Sequence, residues 1–286
     1  MARIALVVHH DRPEAGEVAV DLANWLAGLG HTVCLPEVDA ERVGRADLGV
    51  AERDLSTGLD VAVSLGGDGT MLRTVALVAE ADVPVMGVNF GQLGYLTDVE
   101  PDGARFALER FLDGEHTVEE RMLLAIDVTS SSVADGDGHV VAFNEAVLEK
   151  TASGHTVRLD VDLDGTRFTP YAADGLIVAT PTGSTAYAFS ARGPIVEPGL
   201  RAIALTPVSP HMLFDRTMVL KPTTTVRLDV IGPRPATLSV DGRNLGPLVE
   251  GDGVVCTAAA QPARLVTFER RDFHRILKSK FGLNDR

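Results

Sequence analysis

Cysteine is nearly missing from this chain. Cys34 and Cys256 are the only two in 286 residues. They lie far apart and beside apolar or small residues, which excludes a disulfide scaffold and a cysteine-based metal site and fits buried thiols in a reducing compartment. Long apolar runs are missing too, since no segment approaches the ~20 residues of a membrane-spanning helix. Residues 1–9 are too short for the hydrophobic region of a secretory leader and run straight into charge. An excess of basic residues is lacking as well. Lys and Arg number 26 against 40 Asp and Glu, a net charge of −14, which argues against nucleic acid or an anionic membrane as a partner. These absences leave a soluble protein, expected in the cytoplasm.

What is present is a hydrophobic content of 45% and a charged content of 23%, ordinary for a globular protein, in a length that fits one large domain or two ordinary ones. The apolar run 61–65 leads into Gly66-Gly67-Asp68-Gly69-Thr70, and a helical pattern follows over 71–81. Glycines let the backbone turn sharply and approach a ligand closely. Exposed N–H groups of such a turn at a helix start suit phosphate oxygens. A bare phosphate cradle gains nothing from a carboxylate, so Asp68 has another task, such as holding a metal ion or a reacting hydroxyl; a plain strand-to-helix turn capped by Asp68 is the simpler alternative.

Upstream, 4–8 and 31–35 read as buried strands around an amphipathic helix over 18–29. Residues 36–59 are charged, with at most a short helix. A strand over 83–88 and a second glycine-rich loop over 89–96 follow, then a helix over 103–112. Strands alternating with helices imply a parallel sheet whose ligands sit beyond the carboxyl ends of its strands. Neither glycine loop is a P-loop or a Gly-x-Gly-x-x-Gly turn. After Gly114 the pattern changes to short strands at 122–128, 140–148, 157–163, 167–172, 176–179, 203–206, 225–230, 237–240, 254–257 and 264–268. Turn-rich connections, including Asp135-Gly136-Asp137-Gly138 and the hairpin signal Asp164-Gly165, point to an antiparallel sandwich. The expected division is 1–120 (α/β), 121–268 (sandwich) and 269–286, a basic amphipathic tail helix with Phe273, Ile276, Leu277 and Phe281 on a face that packs back on the chain.

Asn144-Glu145 stands mid-strand among apolar residues, where a buried amide and carboxylate are costly unless paired or used; an outward-facing edge pair is the alternative. Asp174 precedes an apolar strand and reads equally as a turn residue. The stretch 181–190, Pro-Thr-Gly-Ser-Thr-Ala-Tyr-Ala-Phe-Ser, crowds hydroxyls onto a glycine turn suited to ribose and phosphate, with Tyr187 adding a stacking face. Ser184 lacks the surroundings of an acyl-transfer nucleophile. Ser209-Pro210-His211 and Asp241-Gly242-Arg243-Asn244 are loop candidates.

These motifs, in this order, resemble those of NAD kinases: Gly66-Gly67-Asp68-Gly69-Thr70, Asn89-x-Gly91-x-x-Gly94-x-Leu96, Asn144-Glu145, the block from Pro181 to Tyr187, Ser190-x-x-Gly193-Pro194-x-Val196, and Thr206-Pro207-x-Ser209-Pro210-His211. The likeness runs from Ile4 to Phe268. The glycine-aspartate motif alone is shared with lipid kinases and phosphofructokinases; the block from Pro181 to Tyr187 is far more specific. The resemblance implies an α/β domain (a Rossmann-like parallel sheet) followed by an all-β sandwich, an active site between domains and neighbouring subunits, and phosphorylation of the adenosine-ribose 2′-hydroxyl of NAD. It implies Asp68 as the catalytic carboxylate and a candidate metal ligand, with Gly67 and Gly69 against the ligand and Arg73 on a phosphate. Asn144 and Glu145 would hold ribose and adenine-side groups, Asp174 the nicotinamide end, and Thr185, Ala186, Tyr187 and Ser190 the dinucleotide, with His155 and Asn244 in the same set. ATP, or polyphosphate, is the implied donor, Mg²⁺ the implied metal, and a homotetramer the implied assembly. Residues 213–217 depart from the Ser-x-Arg-Pro that often follows the histidine motif. A lipid or small-molecule kinase and a non-catalytic dinucleotide sensor are the rival readings.

Overall fold

The computed structural model describes residues 1–91, 96–97, 99–130, 138–269 and 272–283. The expected glycine loop over 89–96 falls partly, and the turn over 135–138 mostly, outside the described residues. The chain forms two compact units, one of Met1–Glu120 with Ala263–Arg286 and the other of Arg121–Pro262.

The first unit begins with β1 (Arg3–Val8), α1 (Pro13–Gly28), β2 (Thr32–Pro36), α2 (Glu37–Arg42), β3 (Gly49–Val50) and α3 (Glu52–Leu55). It continues through β4 (Val61–Gly66), α4 (Asp68–Val78), β5 (Val85–Asn89), α5 (Ala104–Leu112) and β6 (Thr117–Arg121). β1 and β4 are apolar and buried almost throughout, as strands covered on both faces must be. They pair in parallel with each other, with β2 and with β5. α1 lays Ala15, Ala19, Leu22, Ala23 and Leu26 into the core against them. Each such leucine removed from water stabilises the unit by about 2 kcal/mol. The charged stretch 36–59, where no period is legible, resolves into α2, β3 and α3.

The second unit holds β7 (Leu124–Thr129), β8 (His139–Ala142), β9 (Glu145–Lys150), β10 (Val157–Leu163), β11 (Thr166–Ala173) and β12 (Gly175–Ala179). The short helix α6 (Tyr187–Ser190) precedes β13 (Ile203–Val208), β14 (Met218–Leu220), β15 (Val226–Val230), β16 (Ala236–Val240), β17 (Arg243–Leu248) and β18 (Gly253–Ala258). Two antiparallel sheets result, ordered β11-β10-β15-β18-β7-β8 and β14-β13-β12-β9-β16-β17. They share a core that includes Ile126, Leu148, Leu159, Tyr171, Val178, Leu205 and Leu238. Asp164-Gly165 turns β10 into β11 with both residues at positive φ, 54° and 78°, the geometry that matches strand twist in a two-residue hairpin. Asp241-Gly242 does the same between β16 and β17, at 48° and 78°.

Two strand expectations need correcting. The single strand read over 140–148 is broken at Phe143-Asn144, and its halves β8 and β9 belong to different sheets. The strand read over 264–268 as the end of the sandwich is β19 (Ala263–Thr267), which leaves the second unit. It completes the first sheet in the order β3-β2-β1-β4-β5-β19-β6, parallel to β5. Both errors have one cause: alternation shows which face of a strand is buried and says nothing about which neighbour pairs with it. The chain ends in α7 (Phe273–Lys280), capped by Asp272, whose side chain accepts the Arg275 N–H at 3.1 Å. Phe273, Ile276 and Leu277 are its half-buried residues. No helix among the described residues is long and apolar enough to cross a membrane.

Candidate active site

Gly66 ends β4, and a side chain there would collide with Thr70 Oγ1. Thr70 is buried and fills that space, so Gly66 is required by the protein's own packing. Gly67 and Gly69 differ, because a side-chain carbon at either would meet nothing within 4 Å among the described residues. Gly67 is the N-cap of α4 and no side chain caps the helix, so its first N–H groups point outward as an anion site. Asp68, in the first turn, is 34% exposed, with Oδ1 accepting the Leu96 N–H at 3.2 Å and Oδ2 lying 3.7 Å from Lys280 Nζ. Arg12 donates through Nη1 to the carbonyl of Phe90, and Phe90 N–H donates to Gly66 O at 2.9 Å. The ends of β1, β4 and β5 are thereby tied together around the turn.

Arg73, expected on a phosphate, is paired within the first unit. Its Nη1 donates to both oxygens of Asp39, at 2.9 and 3.0 Å, and Nη2 to Glu52 at 3.2 Å. Asp39 is fully buried and also accepts the Val8 N–H at 2.8 Å. With His10 Nε2 also 2.8 Å from Nη1, these carboxylates fix the guanidinium within the first unit.

In the second unit the break at Phe143-Asn144 is the centre of a dense polar knot. The carboxylate of Asp241 accepts the N–H groups of Phe143, Asn144 and Glu145 at 2.7, 2.8 and 3.1 Å. Those three donors are the ones a broken strand leaves without a ladder, so the Asp241 hairpin is what lets the chain cross between sheets. Gly183 lies directly on the backbone of Asn144, where any side chain would clash with its carbonyl. Thr180 fastens the same contact, its Oγ1 donating to Phe143 O at 2.6 Å and accepting the Gly183 N–H at 3.0 Å. Ser184 is buried, donating to Pro181 O at 2.6 Å and accepting the Val196 N–H at 2.9 Å; its hydroxyl is structural.

Glu145 is 7% exposed, and its Oε2 has no hydrogen-bond partner among the described residues. Burial, with the Asp241 carboxylate adding to it, pushes the Glu145 carboxyl up to about 8, against a hydrogen bond from the Tyr187 N–H. Burial raises Asp241 too, although three backbone donors and Arg243 favour its charged form; of the pair, Glu145 carries the proton. Asp174 pairs with Lys150 Nζ at 2.6 Å; burial raises the Tyr187 hydroxyl, with Glu149 and Asp174 adding to it and Lys150 opposing it. Thr185, its hydroxyl on Thr182 O at 3.2 Å, and Ala186 are half-buried, while Tyr187 and Ser190 are exposed beside them. Asn144, Glu145, Asp174, Thr185, Ala186, Tyr187 and Ser190 are thus collected on one unit. His155 is exposed in the connection before β10. Asn144 and Asn244 sit at opposite ends of what Asp241 joins, and Asn244 spends its side-chain oxygen on the Gly246 N–H at 2.8 Å.

Residues 4–116 match the family profile described as the ATP-NAD kinase N-terminal domain, and residues 143–268 that of the ATP-NAD kinase C-terminal domain. The chain belongs to the NAD kinase family. NAD kinase of Heliobacterium modesticaldum is 39% identical over 281 residues, 98% of each chain. That of Syntrophotalea carbinolica is 34% identical over 287 residues, the whole of both. Among solved structures, yeast NADH kinase complexed with NADH superposes with a TM-score of 0.87 at 26% identity, over all of this chain and 89% of the other. An Archaeoglobus fulgidus NAD kinase in complex with ATP gives 0.72 at 26%, over 98% and 97%. The chain is therefore a phosphotransferase with an alcohol acceptor, an NAD kinase in a two-part α/β and β-sandwich fold.

Asp241, Thr180 and Lys150 were not singled out from the sequence as parts of this site. The Asp-Gly pair at 241–242 carried the signal of a tight hairpin; that its carboxylate would reach across to residues 143–145 is visible only in three dimensions.

Proposed function

We propose that Asp68 orients the adenosine-ribose 2′-hydroxyl of NAD and accepts its proton while the γ-phosphoryl group of ATP is transferred to it. The bond from the γ-phosphorus to the bridging oxygen breaks, the bond to the 2′-oxygen forms, and ADP leaves. Phosphoryl transfer passes through a loose transition state, so positioning and charge neutralisation supply most of the rate. A carboxylate is a weak base toward a ribose hydroxyl, so the proton moves late. The observation that carries the reading is the uncapped, side-chain-free turn at Gly67 and Gly69 with a partly exposed carboxylate at its centre.

The second unit supplies the dinucleotide contacts in this proposal. Glu145, protonated, can donate to a ribose or adenine acceptor as well as accept; Asn144, Thr185, Ala186, Tyr187 and Ser190 border the same surface, with Asp174 toward the nicotinamide, and His155 and Asn244 at its margins. Mg²⁺ is the proposed metal. The described residues contain no cluster of three or more His, Cys, Asp or Glu side chains, and a single oxygen ligand fits an ion that takes one or two carboxylates plus substrate phosphates. Asp68 would hold it, and the bound ion would supply charge neutralisation on the triphosphate. Polyphosphate is an alternative donor, and a cytoplasmic homotetramer the proposed assembly, to be checked by donor substitution and by light scattering.

The deciding experiment compares wild type and Asp68→Asn with NAD, ATP and Mg²⁺, reading NADP through a NADP-specific dehydrogenase. Turnover should fall by roughly 10²–10⁴-fold with NAD affinity retained by calorimetry. Unchanged turnover with lost binding would remove Asp68 from the chemistry.

A further inference from the structure

Phosphoryl transfer gains from cations beside the bound metal, and Arg73, one helical turn past the glycine turn, is engaged by Asp39 and Glu52. A different cation stands at the turn. Residues 273, 276, 277 and 280 recur at the i, i+3, i+4, i+7 spacing that places side chains on one helical face. The first three are the half-buried Phe273, Ile276 and Leu277. The fourth is Lys280, on the same helical face by spacing. Its side chain is only 28% exposed, and its ammonium lies 3.7 Å from Asp68 Oδ2. Lys278, on the same helix, falls off that face.

Asp68 accepts the Leu96 N–H on Oδ1 and faces Lys280 with Oδ2. An ammonium at 3.7 Å offsets the repulsion that this carboxylate would exert on an incoming polyphosphate. It has three donors, and the turn beside it is bare of side chains at Gly67 and Gly69. We propose that Lys280 is a catalytic residue of the kinase reaction, reaching from the C-terminal helix to the phosphoryl group in transfer. Asp68 positions the ammonium at the turn before substrates and metal bind, and Lys280 then donates to the equatorial phosphoryl oxygens as negative charge spreads over them. It takes no proton and forms no bond. The inference rests on the role given above to Asp68.

Steady-state kinetics of Lys280→Met, Lys280→Arg and Lys280→Ala test it, with NAD affinity by calorimetry and thermal melts alongside. The expected result is a fall in kcat of about 10²–10³-fold in the Met and Ala variants, the usual loss for one transition-state donor. NAD affinity should be unchanged, activity partly restored in the Arg variant, and the Ala variant partly rescued by added ethylamine. An ion pair between two half-open side chains contributes little to stability, so the melts should move by no more than about 2 °C. A Met variant with at least half of wild-type kcat overturns the proposal. So does a kcat loss that comes with a large drop in melting temperature and no rescue by Arg or amine, which would make Lys280 a docking residue only. Asp68→Asn run in parallel separates the two readings: an active Asp68→Asn refutes the Asp68 assignment, whereas an inactive Asp68→Asn beside an active Lys280→Met refutes this one alone.

Discussion

Glu145 is a carboxyl group almost withdrawn from water, one oxygen on the Tyr187 N–H and the other without a protein partner among the described residues. With its value raised to about 8 from 4.5, the folded chain holds a proton that the unfolded chain releases in the window between those values. Stability contributed at this site is therefore greatest below about 4.5 and is lost as pH rises through about 8. Thermal melts between pH 6 and 8.5 should fall in wild type with a slope of up to about 1.4 kcal/mol per pH unit from this residue. Glu145→Gln, which cannot ionise, should flatten that slope and melt higher than wild type at pH 8.5. Parallel slopes in the two proteins would show that Glu145 is ionised at neutral pH. The same loss of the proton would change Glu145 from a donor to an acceptor-only group, so NAD affinity should shift over the same window.

At the scale of elements, the glycine turn is held from beneath by a clamp between α4 and the segment after β2. Arg73 on α4 donates to the buried Asp39 of α2, and Asp39 in turn accepts the last N–H of β1. Such a clamp registers helix against sheet, so that the N-terminus of α4 meets the end of β4 in one arrangement. Removing the guanidinium leaves buried Asp39 with only His10 Nε2, 3.3 Å away, and the Val8 N–H to offset its charge. Arg73→Ala should cost about 2–4 kcal/mol of the unfolding free energy, most of it the penalty on Asp39. Chemical denaturation measures this, and Asp39→Asn in the Arg73→Ala background should recover part of it. A loss of ATP affinity without loss of stability would instead return Arg73 to the phosphate.

For the whole molecule, the chain leaves the first unit after β6, builds the sandwich and comes back to place β19 between β5 and β6. Leu265 and Val266 on β19 are buried, and Thr117 and Thr267 join β6 to β19 through their hydroxyls at 2.7 Å. The first sheet is therefore incomplete until the last strand of the chain has been made. Ending the chain after Thr267 should leave a protein that still folds with a cooperative melt, whereas ending it after Pro262 should expose two strand edges and apolar core and give aggregate. Circular dichroism and size-exclusion chromatography distinguish the two products. A soluble, cooperative chain of 262 residues would mean that β5 and β6 can close the sheet without β19.

The β1, β4 and α4 pattern, the parallel sheet and the sandwich could be read from local sequence, because each depends on the period of apolar residues and on turn chemistry at Gly66–Gly69 and Asp164-Gly165. On the second unit, composition pointed to Asn144-Glu145 and to the hydroxyl-rich turn at 181–190, while the roles of their residues, of Asp174, His155 and Asn244 came from the family likeness. What local sequence could not carry was partnership. A carboxylate in a tight turn looks alike whether it faces solvent or, as Asp241 does, receives three N–H groups from residues nearly a hundred positions away. Arg73 looked free for a phosphate because Asp39 and Glu52 are 34 and 21 positions distant, and a basic tail gave no sign that Lys280 would end beside Asp68. The elements, the glycine turn and its family likeness were determined by the sequence alone, because they rest on local sterics and periodicity. Which charge meets which, where β19 goes and which proton Glu145 keeps were decided only by the tertiary structure, because ion pairing, strand neighbours and desolvation depend on distances that the order of residues does not contain.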